Sequence, residues 1–367
     1  MQEFFISLNK IYIVGASSRA KTLTGYLSYL YPDICILAYL VDAPEGNDSD
    51  IGGIPVLELN KKFFLDVDVP VLIATKGIYH EEICRKLTGI GFTQICPVTS
   101  QVDNFLRNAY VKAVFEAEGR EFRKIEELPC AIDESGGELA ACIYMAKSIY
   151  DKPLQSEYQK PDYEEAIQVG SKLTEQRLAD CTFRDDVGDN ISHKNRQYCE
   201  LTAMYWIWKH AAEPLVGLSH YRRHFILPKD WQVRMNQNGV DVILPVPTFV
   251  QPSIVRNYRE RHDAGDLDVM LSFLEQRDAK DYCMAKEVFA GNLYYPCNMF
   301  IMKKEILNEL CEWLFPILDY VVEKCGTKED VYLNRYPGFL AERLVTVFFT
   351  RYKEKYKIVL ADKSFIS

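Results

Sequence analysis

The chain has no Cys-x-x-Cys pair, and its 11 cysteines and 6 histidines show no metal-ligand spacing, so neither a zinc ribbon nor a dithiol motif is encoded. It lacks the run of roughly 20 apolar residues that a membrane span requires. The opening MQEFFISLNK lacks the long apolar core of a secretory signal. These absences point to a soluble, or at most peripheral, protein in a reducing cytosol. There, cysteines such as Cys142 and Cys199 serve as small buried hydrophobes. Positive charge is also short: 43 Lys and Arg against 52 Asp and Glu give a formal charge of −9. That balance argues against broad nucleic-acid binding and requires any anion site to be local.

The rest of the composition is globular. With 48% hydrophobic and 26% charged residues, 367 residues suffice for two cores on a soft prior of about 150 residues each. Lys10 to Val14 (KIYIV) reads as a strand, followed by Gly15-Ala16-Ser17-Ser18-Arg19-Ala20, a helical stretch and a second strand ending in Asp42. Pro70 to Thr75 and QICPV supply further strands. The pattern predicts a Rossmann-like domain over residues 1–99, with Gly15, Ser17 and Asp42 as a candidate second nucleotide site. The full Gly-x-Gly-x-x-Gly fingerprint is absent, since Ser17 and Ala20 occupy its later positions. Asp42 either accepts from ribose hydroxyls or simply ends a strand before the turn at 44–47.

Residues 100–138 read as connector and linker. Val102, Phe105, Leu106, Ala109 and Ala113 have the spacing of an amphipathic helix that packs one domain on the other, and a polar turn at 133–138 closes the boundary. A second α/β domain then covers 139–367. Its first strand, LAACIYM, ends near Lys147. The loop RDDVGDNISHKN offers Asp185, Asp186, Asp189, Asn190, Lys194 and Asn195 for sugar hydroxyls and phosphate, with a metal site as the competing use of its aspartates. From Tyr198 an aromatic stripe (Tyr198, Leu201, Tyr205, Trp208) predicts a core helix in which the polarity of Glu200 needs another explanation.

PLVGLSHYRRHF follows, a buried strand whose end carries His220, Tyr221, Arg222 and Arg223. In an open α/β sheet the ligand crevice lies beyond the carboxyl ends of the strands, and guanidinium forks suit phosphate oxygens. The same residue pair also makes ordinary salt bridges. In GNLYYPCNMF, Asn292, Tyr294 and Asn298 suit an acceptor wall, or a turn covering core.

NISHKNRQYCELTAMYWIWKH with VGLSHYRRHF, then YPCNMFIMKKEIL and GFLAERLVTVFF, strongly resembles a bacterial capsular-polysaccharide and O-antigen glycosyltransferase family, over Leu139 to the C-terminus. VGASSRAK and IGGIPVLEL resemble N-terminal modules of bacterial sugar-modifying enzymes. The resemblance implies a GT-A-like fold and transfer of galactose, including its furanose form, from a UDP donor to a glycan acceptor, which includes lipid-linked glycans at the inner face of the plasma membrane. Metal-dependent glycosyltransferases carry Asp-x-Asp where this strand carries HYRR, so no divalent cation and no cofactor are expected. Arg222 and Arg223 are then the candidates for stabilising the leaving diphosphate, with His220 or Lys194 assisting, and Lys147, on the loop expected to meet base and ribose, and Tyr221 are further donor-binding candidates. Glu342 in FLAER is the candidate base by analogy with inverting GT-A enzymes; the competing use of Glu342 is an ion pair with Arg343 or another core cation, and Asp185 or Asp186 are rival bases. Two other classes stay open. An NAD-dependent sugar oxidoreductase or epimerase would need a complete fingerprint and Tyr-x-x-x-Lys, and a non-catalytic sugar-binding scaffold would bind donor without turnover. The first domain is also a candidate for homo-oligomerisation.

Overall fold

The computed structural model describes residues 1–43, 46–59, 65–130, 139–154 and 159–366. The polar turn 133–138 and part of the turn 44–47 lie outside them. The chain divides into two compact units, Met1–Arg120 and Glu121–Ser367.

In the first unit a six-stranded sheet runs in the order Asp50–Ile51, Ile54–Glu58, Cys35–Val41, Lys10–Val14, Val71–Ile73, Ile95–Pro97. All neighbours are parallel except the first pair. Ile11 to Val14 are buried in succession, as a parallel strand covered on both faces requires. The two strands after Asp42 extend the edge where the sequence suggested only a turn. The expected connector is an α-helix, Ser100–Ala117, whose N-cap Thr99 accepts from the Val102 N–H at 3.4 Å. It belongs to the first unit. Its buried Leu106, Tyr110, Val111 and Phe115 form an apolar face, and Tyr110 meets Tyr26 and Tyr29 of the helix Ser18–Leu30 at 5.4 and 5.0 Å between ring centroids. That face is therefore occupied within the first unit, so the helix belongs to that unit and not to a separate connector beginning at 100.

The second unit is built on eight strands in the order Arg223–Ile226, Ile358–Phe365, Val242–Pro245, Phe300–Lys303, Leu215–His220, Ala141–Lys147, Glu164–Gln168, Phe183–Arg184. Leu215–His220 is central, parallel to Ala141–Lys147 and antiparallel to Phe300–Lys303. Below it Ile143, Leu215, Ile243 and Ile301 pack with Trp231 and Met235. The unit starts at Glu121 rather than at 139: Ile125 and Leu128 are part of this core, and Lys124 pairs with Asp362 on the last strand at 2.8 Å.

Gly217 occupies the middle of the central strand because nothing larger fits. A Cβ there would lie 2.9 Å from the Phe300 carbonyl oxygen and 3.1 Å from both Ile143 and Ile301 side chains. Gly217→Ala is expected to cost about 1–3 kcal/mol through overpacking, read as a lower urea midpoint at unchanged slope.

Candidate active site

Four local features converge on one cavity of about 270 Å³ in the second unit. The first is the HYRR hairpin. The central strand ends at His220, Tyr221 and Arg222 form the tip, and Arg223 starts the return strand, paired directly opposite His220. Residues opposite one another across an antiparallel pair share a face, and both His220 and Arg223 line the cavity. Arg222, at the tip, instead donates to the carbonyls of Lys152 and Pro153 at 3.2 and 3.5 Å. Neither Arg222 nor Tyr221 lines the cavity, so the expected pair of diphosphate arginines is split by the turn.

The second feature is a break in the expected aromatic helix. Asn195–Tyr198 and Leu201–His210 are separate helices, and Cys199 between them has φ 49°. Asn195 holds the break by donating to the Cys199 carbonyl at 2.8 Å. The break turns Cys199 and Glu200 into the cavity and moves the buried stripe to Leu201, Met204 and Ile207.

The third is the turn before Phe300–Lys303, where Cys297 and Asn298 have φ 71° and 50°. Among the described residues, these two and Cys199 are the non-glycine residues with positive φ, and all three sit at this site. Strained backbone of this kind persists where the surroundings over-determine it. His220 Nε2 donates to the Cys297 carbonyl at 2.6 Å, while the Cys297 N–H donates to Glu342 at 2.5 Å. Asn298 Nδ2 donates to Glu200 at 2.7 Å and to the Gly338 carbonyl at 3.2 Å.

The fourth is the helix Tyr336–Arg351, which starts with Pro337 in its first turn, a favoured place for proline. Gly338, Phe339, Glu342 and Arg343 line the cavity from its first two turns, at spacings that share one helix face. The helix Ile254–Arg261 adds Asn257 and Arg261, followed by His262.

The cavity is cationic. Arg223, Arg261, Arg335 and Arg343 face two carboxylates, Glu200 and Glu342. Arg343 pairs with Glu342 at 2.7 Å. Among the described residues, the other three arginines have no carboxylate within ion-pair distance. Burial pushes the Glu342 carboxyl above the usual carboxylate range, partly opposed by Arg343 and the Cys297 N–H. Burial also lowers His220, against the pull of Glu200 and with the help of Arg223. His262 falls to about 3 through burial and then the charges of Arg343 and Arg261. It is therefore a neutral ring near pH 7, clustered with Phe339 and Tyr332 at centroid distances of 4.1 and 5.6 Å, those two rings also meeting each other at 5.0 Å. Burial raises both thiols, Cys199 to about 11. Neither is a ready thiolate nucleophile. The arrangement is suited to gripping a multiply charged anion beside a carboxylate able to accept a proton, with an aromatic wall along one side.

Several sequence candidates lie elsewhere, for identifiable reasons. Asp185 is fully buried and accepts from the N–H groups of Gly170 and Ser171 and the hydroxyls of Ser192 and Thr202, at 2.6 to 3.0 Å. It organises its loop and offers no oxygen to a ligand. Asp186 faces Arg184 and Arg177 at 3.3 and 3.9 Å, and Asn190 closes its own turn on the Asp186 and Gly188 carbonyls. Lys147 pairs with Asp180, and Lys194 with Asp319. Tyr294 lines the cavity beneath Arg343 at 4.4 Å, Asn298 braces Glu200 from behind, and Asn292 is absent from the lining. In the first unit Gly15 has φ 105°, Ser17 caps a helix without a side-chain bond, and Asp42 pairs with Lys86 at 3.3 Å. Arg261, His262 and Arg335 were missed, because they come from segments that only folding brings together, whereas the pairing of Arg343 with Glu342 was among the sequence expectations. Glu200, conspicuous in an apolar stretch, was the one visible signal. Among the described residues no three His, Cys, Asp or Glu side chains are grouped to hold a metal, and no helix is long and apolar enough to cross a membrane.

Residues 149–354, which contain every residue of this cavity, match a family described as "Domain of unknown function (DUF4422)". Among solved structures, the apo structure of WbbM, a bifunctional glycosyltransferase, is similar at 25% identity with a TM-score of 0.54, over 62% of this chain and 45% of that one. This chain thus corresponds to less than half of WbbM. A Rex-family repressor, RSP, matches at 11% identity and TM-score 0.23 over 31% of this chain and 63% of that one. An oxidoreductase from Klebsiella pneumoniae matches at 17% and 0.21 over 39% and 44%. Scores that low carry no argument. No curated protein matches. Over the matched 62% of this chain the α/β fold is of the glycosyltransferase kind represented by WbbM.

Proposed function

This chain belongs to the DUF4422 family, and on that footing we propose that it is a glycosyltransferase moving a sugar from a nucleoside-diphosphate donor to a hydroxyl of a glycan acceptor. The observation that carries the reading is the cavity inside the family-matched segment, where Arg223, Arg261 and Arg335 stand beside Glu342 without carboxylate partners among the described residues. Glycosyl transfer asks for that combination. The leaving diphosphate needs preorganised positive charge, and an inverting transfer needs a base for the acceptor hydroxyl. In this reading Arg223, Arg261 and Arg335 take the diphosphate oxygens and Glu342 takes the proton. Arg343 orients Glu342, and the ring cluster of Phe339, His262 and Tyr332 supports the acceptor sugar.

The donor class proposed is a UDP-sugar, galactose or galactofuranose by family resemblance, in capsule or O-antigen assembly. The acceptor is a glycan, including lipid-linked glycans at the cytoplasmic face of the membrane. The first unit is proposed to be a Rossmann-like module that orients or dimerises the transferase. Its parallel sheet and the left-handed Gly15 after the first strand support this.

The test is thermal stabilisation by UDP and a panel of UDP-sugars, since a ligand selective for the folded state raises the melting temperature with its affinity, followed by UDP release with and without acceptor. A preferred UDP-sugar is expected. No stabilisation by any nucleotide sugar, at concentrations far above a plausible Kd, rejects the proposal. Fixed guanidiniums in place of a bound cation lead to a further expected outcome, that turnover survives EDTA. Complete loss in EDTA with rescue by Mn²⁺ would assign the diphosphate to a metal instead.

A further inference from the structure

Arg335, one of the cavity arginines with no carboxylate within ion-pair distance among the described residues, is held by sulfur instead. Its Nε donates to Cys199 Sγ at 3.1 Å, and both residues line the cavity. The Cys199 thiol is directed at the Gln197 carbonyl at 3.8 Å, so its hydrogen points away from the guanidinium and leaves a sulfur lone pair for Arg335. Sulfur is a weak acceptor. Such a contact aligns a guanidinium without cancelling its charge, whereas a carboxylate in the same place would form an ion pair with which an incoming anion must compete. Among the described residues, the two terminal nitrogens of Arg335 meet no hydrogen-bond acceptor.

Cysteine at position 199 runs against the backbone. Its φ of 49° is a conformation that glycine, asparagine and aspartate adopt most readily, so the choice of a thiol has to be explained by what the side chain touches. The sulfur contact is not needed to join the two segments. Asn334 does that: its Oδ1 accepts from Gln197 Nε2 at 3.2 Å and its Nδ2 donates to the Arg196 carbonyl at 3.4 Å. The chain at 196–197 is thus tied to 334 just before Cys199 and Arg335, and the thiol adds a constraint on the guanidinium itself. Burial, aided by Glu200, pushes the thiol up to about 11 and so keeps it uncharged near pH 7.

We propose that Cys199 is a positioning residue for the donor: its thiol fixes Arg335 by Nε and leaves the edge formed by the two terminal nitrogens to grip the diphosphate at full charge. The binding role rests on the reading of the cavity as a diphosphate site; the sulfur contact does not. In this arrangement residue 199 is chosen for what it withholds. It orients the arginine and supplies no negative charge of its own.

Three substitutions separate the side chain's role from the backbone's. Cys199→Gly relieves the left-handed conformation and removes the sulfur, so the melting temperature is expected to hold or rise. Its Kd for UDP, read by isothermal titration, is expected to rise about tenfold, with the donor KM rising by more than kcat falls. Cys199→Ser keeps an acceptor for Nε and is expected to recover part of that loss. Cys199→Asp suits the same backbone but sets a carboxylate against Arg335, and is expected to weaken UDP binding further than glycine does. Wild-type affinity in the glycine and aspartate variants overturns the positioning role. Equal losses in all three overturn it as well, because they trace to the backbone. In the ligand-free protein the Arg335 Nε–H, assigned in ¹⁵N-arginine NMR by its loss in Arg335→Lys, is expected to exchange with solvent more slowly in the wild type than in Cys199→Gly. Equal rates overturn the sulfur contact. Failure of the wild-type protein to bind UDP or inorganic pyrophosphate rejects the diphosphate reading and with it the binding role, while the exchange result still decides the contact. Binding of pyrophosphate without UDP supports the anion grip and rejects the nucleotide donor.

Discussion

Replacing Glu342 by glutamine is expected to slow sugar transfer by about 10²- to 10⁴-fold, the scale of a positioned proton transfer, while leaving UDP affinity nearly intact. Glutamine keeps an oxygen for the Cys297 N–H that Glu342 now accepts at 2.5 Å, so the turn carrying Cys297 and Asn298 retains its anchor. It loses the anion that Arg343 holds and that the acceptor hydroxyl needs. The pH profile supplies an independent check. Burial raises the Glu342 carboxyl above the ordinary glutamate value, so its basic form is lost at a higher pH than for an exposed glutamate as acidity increases. The acid limb of kcat should therefore lie above the usual carboxylate range in the wild-type enzyme and vanish in the variant. A fully active Glu342→Gln enzyme would remove the base and leave Glu200, the other carboxylate of the cavity, as the candidate.

The second large effect distinguishes two neighbouring arginines. Arg223→Ala should weaken UDP binding by roughly 10- to 150-fold, the equivalent of one charge-assisted hydrogen bond at about 1.5–3 kcal/mol. Arg222→Ala should change it little. Arg223 shares its face with His220 across the hairpin and lines the cavity, whereas Arg222 spends its guanidinium on the Lys152 and Pro153 carbonyls. Arg223→Lys should recover only part of the loss, because an ammonium keeps the charge and gives up the planar fork. Isothermal titration with UDP decides the matter. Equal losses at both positions would mean that the hairpin tip turns toward the donor on binding, and no loss at Arg223 would remove it from the diphosphate site.

That contrast also shows how far the sequence could be read. The apolar run before His220 and the two arginines after it marked a strand end, and the strand end is where the cavity lies. Which arginine faces the cavity depended on the turn: a two-residue tip puts positions 220 and 223 on one face, and nothing in the letters HYRR selects that tip over a longer one. The loop at 184–195 misled for a related reason. Its aspartates and asparagines have the composition of a hydroxyl-binding surface, yet Asp185 is consumed by four internal donors, because a polar loop folded against a sheet must satisfy its own backbone first. Glu342 was singled out by analogy and does line the cavity. Arg261 and Arg335 stand far apart in the chain with no shared motif, so their convergence is a property of the tertiary fold alone. The connector helix was legible as amphipathic, but periodicity reveals that a face is buried without revealing which neighbour buries it.

The left-handed backbone at Cys199, Cys297 and Asn298 has a consequence for how this protein can change. A non-glycine residue in a sparsely populated conformation costs on the order of 1–3 kcal/mol, and glycine would relieve it without any steric demand. Selection for heat resistance alone would therefore favour glycine at the rim of the cavity, where the Cys297 carbonyl and N–H orient His220 and Glu342 and where the break at Cys199 presents Glu200. Each such exchange would loosen a side chain that lines the cavity in return for a higher melting point. Thermostability and the geometry of the proposed site are thus opposed at these three positions, and a directed-evolution campaign that holds them fixed leaves the rest of the chain available for stabilisation.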